Sequence, residues 1–143
     1  MDAIGTYSPD DITVAWGEIL VSGYAKGSMV KVGKPETKQV TSVQGGDGRI
    51  ARSVRRHAPL RQVEINLLQT AECNQLFAGQ AELDRITGQV VKPLTVKDGS
   101  GTTIYSFPQA WICERPDGEF GQEAGTRTWV LEGPCQESEG FNL

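Results

Sequence analysis

The residues of this chain that could do chemistry are few, and their spacing suits none of the common reactions. His57 is the only histidine, and it sits beside Arg55 and Arg56 in the Arg-rich segment. A nucleophilic Cys–His pair would have to recruit it from a loop, because Cys73, Cys113 and Cys135 all lie far from it in sequence. Zinc needs about four ligands in register, and three scattered cysteines without a C-x-x-C spacing do not supply them. Asp10 and Asp11 could serve as an acid–base pair, but after Pro9 they read as a solvated turn. Gly45, Gly46 and Gly48 lack the G-x-x-x-x-G-K-S/T and G-x-G-x-x-G spacings and a following helix to hold a phosphate, so they read as a turn. The expectation is therefore a protein that is not an enzyme, with no catalytic residue, no metal and no cofactor.

Charge is the feature that remains. Nine of the fourteen Lys and Arg fall between Lys26 and Arg61, where Glu36 and Asp47 are the only acids. Residues 1–25 carry acids and no base, and residues 62–143 carry twelve acids against five bases. The basic stretch, with Arg49, Arg52, Arg55, Arg56 and Arg61, is a legitimate hint of phosphate binding. Against that, no aromatic residue occurs between Tyr24 and Phe77 to stack on bases, and the pI is near 5.0. A solvated loop is a second reading. The third, and the favoured one, is contact with an acidic protein surface, above all that of another copy. Such a heterologous contact closes into rings or propagates as stacks.

The elements that must carry this charge are mostly strands. At 143 residues, 38% hydrophobic and 22% charged, the chain can bury a real core as one domain spanning 1–143. No apolar run reaches membrane-span length, and the acidic start does not support export, so cytosolic synthesis with free, mostly buried thiols is expected. Seventeen glycines punctuate β-branched and aromatic stretches. Residues 12–16 and 18–24 read as a hairpin turning at Gly17, and 28–32 with 37–43 as a second pair. Residues 61–69 alternate, with Val63, Ile65 and Leu67 on one face and Gln62, Glu64 and Asn66 on the other. Residues 89–97 and 102–113 flank a turn at Asp98-Gly99-Ser100-Gly101, and 126–133 give a last strand. One helix is expected at 71–87, with Thr70 as N-cap, Gly88 beyond its end, and an apolar stripe of Cys73, Leu76, Phe77, Leu83 and Ile86. The fold class is α+β, mostly β: packed antiparallel sheets, sandwich- or barrel-like, with one flanking helix. Residues 44–60 form a long connection, either an exposed hairpin arm or a loop that orders on a partner.

Several ordered stretches carry a family resemblance: GTYSPDDITV from Gly5 to Val14, VSGYA from Val21 to Ala25, and GDGRIAR from Gly46 to Arg52. VEINLLQT from Val63 to Thr70 and GTRTWVLEGP from Gly125 to Pro134 complete the set. The chain resembles the inner tail tube proteins of contractile-tailed bacteriophages over most of its length. The resemblance implies six copies per ring, with strands of each copy lining an inner barrel and rings stacked into a channel for DNA ejection. It implies the chain itself as principal partner, with tail sheath, baseplate or tail-tip, and tail-terminator proteins beside it. DNA would be met only in transit, with no membrane insertion. The location implied is the virion tail, after assembly in the host cytoplasm. In such proteins a long loop between early strands reaches the next ring, and 44–60 occupies that place; its density of arginine departs from the mixed polar loop expected.

Two site expectations follow. Arg49, Arg52, Arg55 and Arg56 would make the inter-ring or subunit contact. Gln62, Glu64 and Asn66 would face the lumen, where an acidic or neutral wall keeps a passing duplex from sticking. Two other readings stay open: the tube protein of a related contractile injection or secretion apparatus, and a nucleic-acid-binding accessory protein.

Overall fold

The structure is a computed structural model, and it describes residues 7–99 and 103–138. After a single 3-10 turn at Pro9–Asp11 come β1 (Ile12–Trp16), β2 (Ile19–Leu20), β3 (Val30–Val32), β4 (Val40–Gln44), β5 (Ile50–Val54) and β6 (Leu60–Leu68). The helix α1 (Cys73–Thr87) follows, then β7 (Lys92–Asp98), β8 (Ile104–Glu114), β9 (Thr126–Pro134) and β10 (Gln136–Ser138). Among the described residues, no helix is long and apolar enough to cross a membrane.

Eight strands form the body in the order β2-β1-β7-β8-β9-β6-β3, with β10 beside β8. All pairings are antiparallel. β8 joins two halves: Ile104–Ala110 pairs with β7, and Trp111–Glu114 pairs with β9. An irregularity in each ladder marks the place where it changes partner. There Gly133 of β9 passes so close to β8 that a Cβ would fall on the Gln109 carbonyl. The far edges stay open, so the body is a folded-over sandwich and not a closed barrel.

The core lies between the halves. Val14 and Trp16 of β1, Leu94 and Val96 of β7 and Phe107 of β8 face Val63, Ile65 and Leu67 of β6 and Leu131 of β9. The alternation expected for β6 is the one observed, because one face of that strand has water to look at and the other does not. The helix closes the core with one side chain. Phe77 is fully buried and packs edge-on between Trp16 and Trp129, at centroid separations of 6.0 and 5.5 Å. Each indole satisfies its own N–H: Trp16 donates to the Ala110 carbonyl and Trp129 to Asn74 Oδ1.

Three local expectations are corrected. The helix begins at Cys73 with Glu72 as N-cap, while Ala71 N–H bonds to Leu68 O and the Asn74 amide holds the same carbonyl, leaving Thr70 in the preceding turn. The expected end is right: Gly88 adopts φ +66° and caps onto Asp84 O. Only Cys73 and Phe77 of the apolar stripe are buried. Leu76, Leu83 and Ile86 are exposed, and the small Ala78 and Ala81 pack inward instead. Small residues let the helix sit low on the sheets, which fixes the rotation that Phe77 needs. Finally, 28–32 does not pair with 37–43: β3 pairs with β6, and β4 pairs with β5. The expected turn at 98–101 closes by Asp98 N–H to Thr103 O; its Ser100 and Gly101 lie outside the described residues, as do Gly5 and Thr6.

Candidate functional site

β4 and β5 make a two-stranded sheet that pairs with no other strand among the described residues. Of the two readings left open for 44–60, the hairpin arm is the one observed, with its base one strand earlier than expected. At its tip Gly45 N–H bonds to Arg49 O, Gly48 N–H to Gly45 O, and Asp47 accepts from Arg49 N–H. Gly48 takes φ +86°, so the glycine cluster is a turn, as its spacing indicated. An isolated hairpin buries little of its own surface. Val43, Ile50 and Val54 stand exposed on it, although they are good strand formers that a core would accept.

The four candidate arginines all belong to this arm. Arg49 pairs loosely with Asp47 at 3.4 Å near the tip, Arg52 lies on β5, and Arg55 and Arg56 follow at its root. Among the described residues, Arg52, Arg55 and Arg56 have no ion-pair partner within the chain. At the root they meet residues not singled out beforehand. Lys38, Arg55, Arg56 and His57 line a cleft of about 340 Å³ whose other walls include Pro35 and Pro59. His57 shares this cleft with Cys135 and Glu137 as well as with these cations, and the Cys135 thiol donates to Gln136 O and not to the imidazole.

Arg61 leaves the basic surface. It is 8% exposed, donates from Nε to Gly33 O at 2.8 Å, forms an ion pair with Glu137 and lies 5.2 Å over the Tyr105 ring. Its parity in the 61–69 alternation, shared with Val63, Ile65 and Leu67, is the sequence signal that separates it from the arm arginines. The separation comes from β6, which turns that side chain inward.

Gln62, Glu64 and Asn66 share the outer face of β6, Gln62 exposed and the other two half-buried. In register beside them are Glu132, Val130 and Thr128 of β9 and Lys31 of β3. Asn66 Oδ1 accepts from the Thr128 hydroxyl at 2.6 Å, so it is held in place. Glu132 accepts from the Trp111 indole at 3.0 Å and adds a second carboxylate to this face. The alternation of β9, Thr126-Arg-Thr-Trp-Val-Leu-Glu, was the available signal for it.

All three cysteines are free thiols, Cys73 and Cys135 buried and Cys113 half-buried. Burial pushes the Cys113 and Cys135 thiols up to about 11, with Glu132 and Glu114 adding to the effect at Cys113 and Arg61 opposing it at Cys135. These are inert thiols, not nucleophiles. Among the described residues, no group of three or more His, Cys, Asp or Glu is placed to hold a metal ion.

The architecture is shared with a protein of solved structure. The cryo-EM structure of the anti-feeding prophage cap, a tube-terminating cap, superposes with a TM-score of 0.59 over 96% of this chain and 94% of that one. Sequence identity there is 8%, so the likeness is one of fold. In sequence, the chain is similar to structural protein ORF10 of Pseudomonas phage KPP10, 26% identical over 134 residues, covering 88% of this chain and 76% of that protein. No protein-family model matches. Likeness in sequence to a phage structural protein is consistent with a non-enzymatic chain.

Proposed function

We propose that this chain is a structural subunit of a phage tail tube, which polymerises as stacked hexameric rings around the channel for DNA ejection. The observation that carries the proposal is the β4–β5 arm. It projects unpaired cations and exposed apolar residues that have no counterpart in its own fold, as expected of a segment whose packing partner is another subunit. The similarity to a phage structural protein supports a place in the virion, and the fold shared with a tube-terminating cap supports a place in its tail. In this reading Arg49, Arg52, Arg55 and Arg56 bridge subunits or rings. Gln62, Glu64 and Asn66, with Glu132 beside them, face the lumen. Sheath, baseplate or tail-tip, and terminator proteins are the neighbours.

A second reading is favoured by the fold match itself: a ring that ends the tube instead of extending it. Electron microscopy of the purified protein separates the two. Tubes that lengthen with concentration and show sixfold symmetry support the tube subunit. Single rings that never stack support a terminating cap. A protein that remains monomeric at high concentration overturns both.

A further inference from the structure

We propose that the acidic loop between β8 and β9 of one copy docks, through Phe120, into the basic cleft at the root of the arm of a second copy. This rests on the self-assembling reading above and names the surfaces that would meet.

The loop between Glu114 and Thr126 presents Glu114, Asp117, Glu119 and Glu123, and at its centre Phe120 is 83% exposed. Its one cation, Arg115, is engaged at home, 2.7 Å from Glu82. Arg127 holds the loop in shape, donating to Glu119 O at 2.9 Å and lying 5.6 Å over the Phe120 ring. The result is an apolar knob set among carboxylates that have no ion-pair partner among the described residues. The cleft is its complement. It has about 340 Å³ of space, proline in its walls, and Lys38, Arg55, Arg56 and His57 around it; its one carboxylate, Glu137, is already paired with Arg61. An aromatic ring leaving water against Pro35, Ala58 and Pro59, with its carboxylate neighbours meeting guanidinium groups, is the arrangement that makes a strong contact centre.

The two surfaces cannot meet within one chain. β6 and β9 pair residue for residue from Leu60–Pro134 to Leu68–Thr126. The cleft lies at the first end, where Cys135 N–H bonds to Pro59 O, and the loop at the other, where Gln69 N–H bonds to Gly125 O. A nine-residue strand puts roughly 27 Å between them. Knob and cleft at opposite ends of one ladder make a head-to-tail contact, which propagates from copy to copy.

The test uses the full chain in two variants, Ala58→Cys in the cleft and Phe120→Cys on the loop, mixed under mild oxidation and run on a non-reducing gel. A disulfide-linked dimer is expected from the mixture, a ladder from the double variant, and neither from the parent chain nor from a Phe120→Cys chain in which Cys135, which lines the same cleft, is replaced by Ser. Glu119→Lys with Glu123→Lys in the Phe120→Cys chain should abolish the link, and Arg55→Glu with Arg56→Glu in the partner chain should restore it. Circular dichroism confirms that each variant is folded. Particles seen by electron microscopy without any link overturn this contact and leave the self-assembling reading standing. A chain that stays monomeric throughout overturns both, and a link indifferent to charge reversal overturns the complementarity.

Discussion

Arg61 of β6 and Glu137 of β10 form an ion pair at the seam where the two halves of the sandwich meet, with the guanidinium buried and the carboxylate at the rim. The same guanidinium donates to Gly33 O and covers the Tyr105 ring, so one side chain ties together the segment after β3, β6, β8 and β10. Removing it leaves the half-buried Gly33 carbonyl without this donor and an emptied site. Arg61→Ala is expected to cost about 2–4 kcal/mol. Glu137→Gln, at a position that water reaches, should cost less, about 1 kcal/mol. Urea unfolding of the two variants checks the order, and equal losses would contradict it.

Phe77 and Leu83 give a second contrast on one helix. Phe77→Ala empties the site between two indoles and should cost about 3–5 kcal/mol. Leu83→Ser touches no core and should stay within about 0.5 kcal/mol of the parent. Thermal unfolding followed by tryptophan fluorescence reads both.

The arm is expected to matter for assembly and not for stability. Alanine at Arg49, Arg52, Arg55 and Arg56 together should leave the melting temperature within a few degrees of the parent, because their charges pair with nothing in the body. Sedimentation should then show monomers or isolated rings. Long tubes from this variant would remove the arm from the assembly contact.

Glu64→Lys tests the lumen assignment. Placed on the outer face of β6 beside Lys31, it adds positive charge to that face without entering the core. Tubes should assemble, and DNA delivery by phage carrying the variant should fall, since a cationic wall holds phosphate. Normal infectivity would count against the assignment.

The thiols set a pH dependence. Cys113 and Cys135 have values raised to about 11 by burial, against an ordinary thiol value near 9.0, and burial raises Tyr24 to about 12. In the unfolded chain these groups ionise first. The stability the thiols contribute is therefore complete below about pH 9 and is lost as pH rises through about 11, and that of Tyr24 is complete below about pH 10 and lost through about 12. At pH 8, alkylation of Cys113 by iodoacetamide should run about a hundredfold slower than that of an ordinary thiol, following its thiolate fraction. Rapid labelling in the folded state would disprove it.

Much of this was legible in the residues. Period-two alternation gave β6, glycine at a left-handed position ended the helix at Gly88, and glycine spacing made the arm tip a turn, because each depends on neighbours in sequence. The charge segregation, the lack of a catalytic constellation and the mostly-β class are equally properties of the chain taken locally. Only the tertiary structure decided which strand each hairpin partner chose, which side of α1 faced inward, and that Arg61 meets Glu137 and Tyr105 while Arg52, Arg55 and Arg56 have no ion-pair partner among the described residues. Those outcomes turn on contacts between residues far apart along the chain. Phe77 finds two tryptophans, one 61 positions before it and one 52 after, and no local pattern encodes such a meeting.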